Sequence, residues 1–106
     1  MTLDPEDNKI ITLARASRAR NGSAEGAAVR DETGRTYAAT DVALKALRLS
    51  AVQVAVATAV SSGARSLEAV ALVTDGEGPS EEDRAVAAEL GVTSILVAGP
   101  DGTLRA

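Results

Sequence analysis

Two serines in this 106-residue chain could supply a hydroxyl nucleophile or could cap helices. Gln53 follows Ser50 by three residues, and Asp83 follows Ser80 at the same spacing. A serine nucleophile needs a neighbouring base, but the chain has no histidine, and no lysine lies beside either serine. The spacing is typical of a capping box, in which two side chains bond backbone N–H groups at a helix start. We therefore predict two capped helices and assign no catalytic residue.

Oxygen-bearing side chains also cluster around a short glycine-containing loop at residues 75–78. The cluster comprises Asp75, Glu77, Ser80 and Asp83. Such oxygens could bind Mg²⁺ or Ca²⁺, although an acidic loop exposed to solvent is the commoner explanation. Gly76 and Gly78 match no phosphate-binding glycine pattern, and Glu77 would repel a phosphate. We expect a turn here, with no metal and no cofactor.

The hydrophobic pattern predicts the helices and strands between which these polar residues lie. Asp4 and Pro5 favour a helix start, and Gly22 favours its end, with Ile10, Leu13, Ala14 and Ser17 on the buried face. The predicted order is a helix at 5–21, strands at 25–29 and 35–40, a link at 41–47, a helix at 50–62, a strand at 67–74, a helix at 80–90, a strand at 92–98 and a short edge strand at 103–105. Strands separated by helices favour parallel pairing, and the opening hairpin makes the sheet mixed.

The predicted helix at 50–62 contains no charged residue. A surface helix normally shows one polar face, and in so small a domain the sheet can cover only one side of it. Another copy of the chain is the natural cover for the other side. We therefore expect a homodimer or a homotetramer.

Composition limits the remaining possibilities. The length suits a single domain spanning residues 1–106, and Tyr37 is the only aromatic residue. The formal net charge of −4 argues against a nucleic-acid or anionic-membrane surface. The longest uncharged stretch, 49–64, is too short to span a membrane. The acidic first residues are unlike a signal peptide, so we expect a cytoplasmic protein.

The order of the elements, together with several short strings, resembles the small homotetrameric cytidine deaminases over most of the chain. Residues 26–29 look like the family's Val-Gly-Ala-Ala-Val strand, 32–37 like its hairpin, and 59–63 like the end of its zinc-bearing helix. The alanine, arginine and glycine usage is similar to that of actinobacterial members. The resemblance implies an α/β protein with a three-layer α-β-α fold, a mixed sheet that begins with an N-terminal hairpin, and helices on both faces.

The resemblance also implies a zinc site at the starts of two helices, and the chain departs from the family at those positions. Ser50 aligns with the first zinc ligand, Val52 with the catalytic glutamate, and Ser80 and Asp83 with two cysteine ligands. Ala43 replaces a ribose-binding glutamate. Because the chain has no cysteine and no histidine, it lacks the thiolate and imidazole ligands that zinc prefers. The resemblance therefore indicates a degenerate member without a zinc site.

The cleft expected between the two helix starts is a candidate pocket for a small polar or nucleoside-like ligand, because helix starts present free N–H groups. Its predicted lining is Asp41, Ser50, Asp75, Ser80 and Asp83. Our functional hypothesis is a non-catalytic, homo-oligomeric module that binds a small ligand or a protein. The alternatives are a cytidine or nucleoside deaminase with a non-standard metal site, which would need a general acid/base, and a metal-independent hydrolase.

Overall fold

The computed structural model describes residues 3–105, which form three helices and a mixed four-stranded sheet. In chain order the elements are α1 (Pro5–Asn21), β1 (Glu25–Asp31), β2 (Thr36–Thr40), β3 (Val42–Ala43), β4 (Arg48–Leu49), α2 (Ala51–Ser61), β5 (Leu67–Thr74), α3 (Glu81–Glu89) and β6 (Leu96–Ala98). The sheet order is β2-β1-β5-β6, with antiparallel pairing around β1 and parallel pairing of β5 with β6. The predicted mixed sheet with an N-terminal hairpin is confirmed.

The helices cover both faces of the sheet, which confirms the predicted three-layer α-β-α architecture. Ile10 and Ala14 of α1 pack on one face against small side chains of β1 and β5. On the other face, Val52 and Val56 of α2 pack against Val70 and other branched side chains of the sheet. Because β5 is covered on both faces, it is a nearly continuous apolar run, as its sequence indicated.

Helix α1 begins and ends where the sequence predicts. The Asp4 carboxylate accepts a hydrogen bond of 2.8 Å from the Glu6 backbone N–H, and Gly22 ends the helix in the left-handed conformation at φ 62°. The buried face differs in one position from the prediction, because Ile11 is buried while Leu13 is only half-buried. Ile11 lies three residues before Ala14, so it shares that face and reaches the sheet.

The β1–β2 hairpin is organised by one buried carboxylate. Asp31 Oδ1 accepts hydrogen bonds from Thr33 N (2.9 Å), Thr33 Oγ1 (2.7 Å) and Arg35 N (3.0 Å), while Oδ2 accepts from the Tyr37 hydroxyl at 3.1 Å. Burial by itself raises the pKa of Asp31. The four hydrogen bonds together lower it by more than that, so the pKa of Asp31 lies below its ordinary value. Gly34, at φ 89°, closes the turn.

Residues 41–47 do more than form the link that we predicted. Val42–Ala43 and Arg48–Leu49 pair as a small antiparallel hairpin, closed by a hydrogen bond of 2.8 Å from Leu44 N to Leu47 O. Sequence reasoning missed it because strands of two residues carry no detectable alternation. The hairpin tip exposes Leu44 and Leu47 to 58% and 48%, and the hairpin leads directly into α2.

The C-terminal strands are shorter than predicted. Residues 92–95 precede the observed strand Leu96–Ala98, because Val92 N–H donates to Ala87 O at 2.9 Å and thereby closes the end of α3. The expected edge strand at 103–105 is reduced to a single antiparallel bridge between Ala98 and Leu104. Within the described part of the chain, none of the helices has the length and apolarity needed to span a bilayer.

Helix α1 crosses the sheet so closely that Gly26 cannot carry a side chain. A Cβ atom on Gly26 would lie 2.1 Å from Ala14 O and 2.9 Å from Arg18 Cβ. We predict that Gly26→Ala lowers the free energy of unfolding by about 1–3 kcal/mol, because the helix must move away from β1. Urea denaturation measures the change. Gly99→Ala is the control, since its nearest contact would be 3.4 Å; an equal loss in both variants would contradict the steric argument.

Candidate functional site

Both predicted capping boxes are present. At the start of α2, Ser50 Oγ accepts a hydrogen bond of 3.1 Å from Gln53 N, and Ser50 N donates to Gln53 Oε1 at 2.9 Å. At the start of α3, Ser80 Oγ accepts from Asp83 N at 3.1 Å, and Ser80 N donates to Asp83 Oδ2 at 3.1 Å. Each box satisfies two backbone N–H groups that the helix itself leaves unpaired.

Asp83 has a second role, which joins the two helices. Its Oδ1 atom accepts a hydrogen bond from the Ser50 hydroxyl, so one carboxylate bonds the N-caps of both α2 and α3. The side chain is buried, with 2% exposure, and both of its oxygens are engaged. Sequence spacing predicted the two local boxes but not this contact, because it connects residues that are 33 positions apart.

A second carboxylate, that of Glu25, approaches the start of α2. Glu25 Oε1 lies 3.4 Å from Ala51 N, and Asp41 Oδ1 accepts a hydrogen bond of 3.1 Å from Glu25 N. Loss of solvent raises the pKa of Glu25 most, and the negative charges of Asp83 and Asp41 raise it further, against the lowering effect of the Ala51 N–H. Sequence reasoning missed Glu25, since only the pairing of β1 inside the sheet brings it to α2.

The structure brings four of the five predicted pocket residues into one connected set. Ser50, Ser80 and Asp83 are joined directly by hydrogen bonds, and Asp41 is connected to them through Glu25. Asp75 lies outside this set. Its carboxylate is 3.8 Å from the Arg18 guanidinium of α1, and its side chain is 73% exposed.

The side chains at the helix starts do not suit Zn²⁺. Zinc in proteins prefers thiolate, imidazole and free carboxylate ligands, whereas Ser50 and Ser80 offer neutral hydroxyls that already accept backbone hydrogen bonds. Both oxygens of Asp83 are engaged as well. Among residues 3–105, no three Asp or Glu side chains are grouped closely enough to hold a metal ion. The atoms that would bind a cation are used here to close two helices.

The contact between Ser50 and Asp83 predicts energetic coupling between α2 and α3. We expect Asp83→Ala to lower the free energy of unfolding by about 2–4 kcal/mol, because it removes the cap of α3 and leaves the half-buried Ser50 hydroxyl without its acceptor. Ser80→Ala, which removes only a local cap, should cost about 0.5–2 kcal/mol. Urea denaturation of Ser50→Ala, Asp83→Ala and the double variant measures the coupling. Strictly additive losses would show that the contact between the helices contributes nothing.

The raised pKa of Glu25 predicts that stability depends on pH. Because the pKa of Glu25 is higher in the folded than in the unfolded protein, the stability associated with its neutral form is complete below its ordinary value of 4.5 and is lost as the pH rises. Glu25→Gln keeps an oxygen for the Ala51 N–H without the charge. We expect this variant to have a higher free energy of unfolding than the parent at pH 7. The gap in stability between the two should close toward pH 4.

Denaturant midpoints across that pH range measure the gap. Glu89→Gln is the control, because Glu89 is an exposed residue at the far end of α3. A gap for Glu25→Gln that grows as the pH falls would contradict the assignment.

Known proteins with the same fold include cytidine deaminases. A family model described as cytidine deaminase-like matches residues 3–102. The crystal structure of cytidine deaminase from Burkholderia pseudomallei is similar with a TM-score of 0.78 and 26% identity, covering 99% of this chain and 91% of that one. The crystal structure of cytidine deaminase from Mycobacterium tuberculosis is similar with a TM-score of 0.73 and 25% identity, covering 96% of this chain and 90% of that one. The Mycobacterium leprae enzyme, with a TM-score of 0.72 and 22% identity over 96% and 93% of the two chains, shares the fold. No curated protein sequence matches significantly.

Proposed function

The chain belongs to the cytidine deaminase-like family, and we propose that within it this protein acts by binding, without hydrolytic deamination. The observation that carries the proposal is the double engagement of Asp83. This carboxylate stands where the resemblance assigns a metal ligand, yet it caps α3 and accepts the Ser50 hydroxyl. A side chain so engaged is part of the framework of the protein.

The position that the resemblance assigns to the catalytic glutamate supports the same conclusion. Val52 occupies it and is fully buried in the core between α2 and the sheet. Hydrolytic deamination needs a group that moves protons at the reacting atom, and an isopropyl side chain cannot do so. Val52 therefore makes a packing contact where the resemblance places a group for proton transfer.

We propose that the binding unit is a homo-oligomer assembled through α2. The side of α2 that faces away from the sheet exposes uncharged residues, with Val60 exposed to 47%. Leu44 and Leu47, at the tip of the hairpin that precedes α2, add exposed apolar surface. Covering this surface with a second copy would remove apolar area from water at about 25 cal/mol per Å². A dimer or tetramer is the assembly that we propose.

For a small polar or nucleoside-like ligand, we propose the surface around the two helix starts. Ser80 and Asp75 are exposed and Asp41 is half-buried, so these side chains can be reached from solvent. Ser50 and Asp83 lie beneath and would hold the surface in place. Backbone N–H groups of a helix start favour polar or anionic ligand atoms.

The test of the non-catalytic assignment combines zinc analysis of the purified chain with a cytidine absorbance assay. We expect less than stoichiometric zinc and no loss of cytidine absorbance, because the ligand positions carry engaged oxygens. The Burkholderia pseudomallei cytidine deaminase is the positive control. Stoichiometric zinc together with deamination would overturn the proposal in favour of a deaminase with a non-standard metal site.

The oligomer has its own test. We expect light scattering to give a mass above that of one chain, and Val60→Lys to reduce it, because a charge would be buried at the contact between subunits. Ala85→Lys adds the same charge at an exposed position of α3 and serves as the matched control. A parent protein that is monomeric, or a Val60→Lys variant that assembles normally, would count against an interface through α2.

A further inference from the structure

A groove of about 610 Å³ lies between α3 and β6. None of its lining residues belongs to the connected set at the helix starts, which comprises Glu25, Asp41, Ser50, Ser80 and Asp83. Its walls include the apolar side chains of Val92, Ile95 and Leu96. Thr93 and Ser94 contribute hydroxyl groups beside them. A volume of this size falls within the range of pockets that bind small molecules, and such pockets combine apolar walls with a few polar groups.

Two guanidinium groups line the groove without a carboxylate partner among residues 3–105. Arg105 donates from Nη1 to Gly76 O at 2.6 Å and from Nη2 to Thr74 O at 2.8 Å, so two neutral carbonyls hold it in place without cancelling its charge. No carboxylate of the described residues lies within ion-pair distance of Arg84. Glu77 is the only acidic residue of the lining. The groove therefore carries a local positive charge on a chain whose net charge is −4.

The backbone beside the groove is already occupied, which disfavours an extended peptide as the occupant. Arg105 N donates to Val97 O at 2.7 Å and Gly99 N donates to Thr103 O at 3.0 Å, so the returning chain pairs with the outer edge of β6. A peptide that added a strand here would have to displace that segment. A compact ligand needs only the side chains of the groove.

We propose that this groove binds a small amphipathic anion, that is, an apolar body carrying one carboxylate or phosphate head group. The head group pairs with Arg84 and Arg105, because a guanidinium forms two parallel hydrogen bonds with such anions. The apolar body packs on Val92, Ile95 and Leu96, and exposed Leu104 closes over it. The site is independent of the proposed function and holds whether or not the chain deaminates cytidine.

The experiment titrates the ¹⁵N-labelled full chain with octanoate below its micelle concentration and follows amide shifts by NMR. Octyl phosphate tests the second head group, octylammonium has the same apolar body with the opposite charge, and acetate has the head group without the body. We expect octanoate or octyl phosphate to shift the amides of residues 92–97 with saturation, while octylammonium and acetate bind at least tenfold more weakly. The preferred anion identifies the head group.

Arg84→Gln removes one guanidinium and should weaken binding of the preferred anion about tenfold, as expected for the loss of a charge-assisted hydrogen bond. Arg35→Gln is the matched control, because it removes the same charge from the β1–β2 turn, at the opposite edge of the sheet, and should change nothing. Leu104→Ser tests the apolar contact at an exposed position that tolerates the change.

The proposal would be overturned by no saturable shifts at residues 92–97, by octylammonium binding as tightly as the preferred octyl anion, or by an Arg84→Gln variant that binds that anion as well as the parent. Binding of an acidic peptide at these amides, with no binding of either octyl anion, would also overturn it.

Discussion

The hydrogen bonds of the Asp83 carboxylate are the constraint on which the functional end of this protein depends. A buried carboxylate is unfavourable unless donors surround it, and Asp83 is 2% exposed. Ser80 N–H supplies one donor and the Ser50 hydroxyl supplies the other. The positive ends of the α2 and α3 dipoles both point toward this region and favour a negative charge there. One side chain thus joins the two helix starts directly by hydrogen bonds.

The same constraint is the basis of our proposal that this chain acts without the chemistry of the cytidine deaminases. A cation bound by Asp83 would compete with the hydrogen bonds by which its two oxygens join the helix caps. Ser50, Ser80 and Asp83, at the positions where the resemblance places metal ligands, hold the two helix starts together. Val52, at the position where the resemblance places the catalytic glutamate, is fully buried and packs in the core.

Besides the ligand surface proposed around the two helix starts, two further surfaces are available for function. The outer side of α2 and the tip of the β3–β4 hairpin are uncharged or apolar and suit a second copy of the chain. The groove between α3 and β6 differs in character, since Arg84 and Arg105 give it positive charge above apolar walls. These surfaces lie on different elements, so assembly and ligand binding need not compete for the same residues.

Much of the fold followed from local patterns. The start and end of α1, the β1–β2 turn at Gly34 and both capping boxes depend on residues within four positions of each other, and the structure confirms them. The buried run of β5 was likewise visible, because a central strand covered on both faces needs apolar residues at every position.

The predictions failed where local patterns were short. The two-residue strands Val42–Ala43 and Arg48–Leu49 are held by one ladder and a tight turn, and the shortened β6 depends on how Val92 closes α3. Such features are decided by competition between neighbouring hydrogen bonds, which periodicity does not record.

The sequence by itself determined which side chains stand at the two helix starts and that they cap those helices, because a capping box is a contact within one turn. Only the tertiary structure decided that Asp83 reaches Ser50, that Glu25 and Asp41 join them, and that Asp75 turns to Arg18 instead. Those contacts join residues that are distant in sequence. They form only after the sheet has set the distance between its helices.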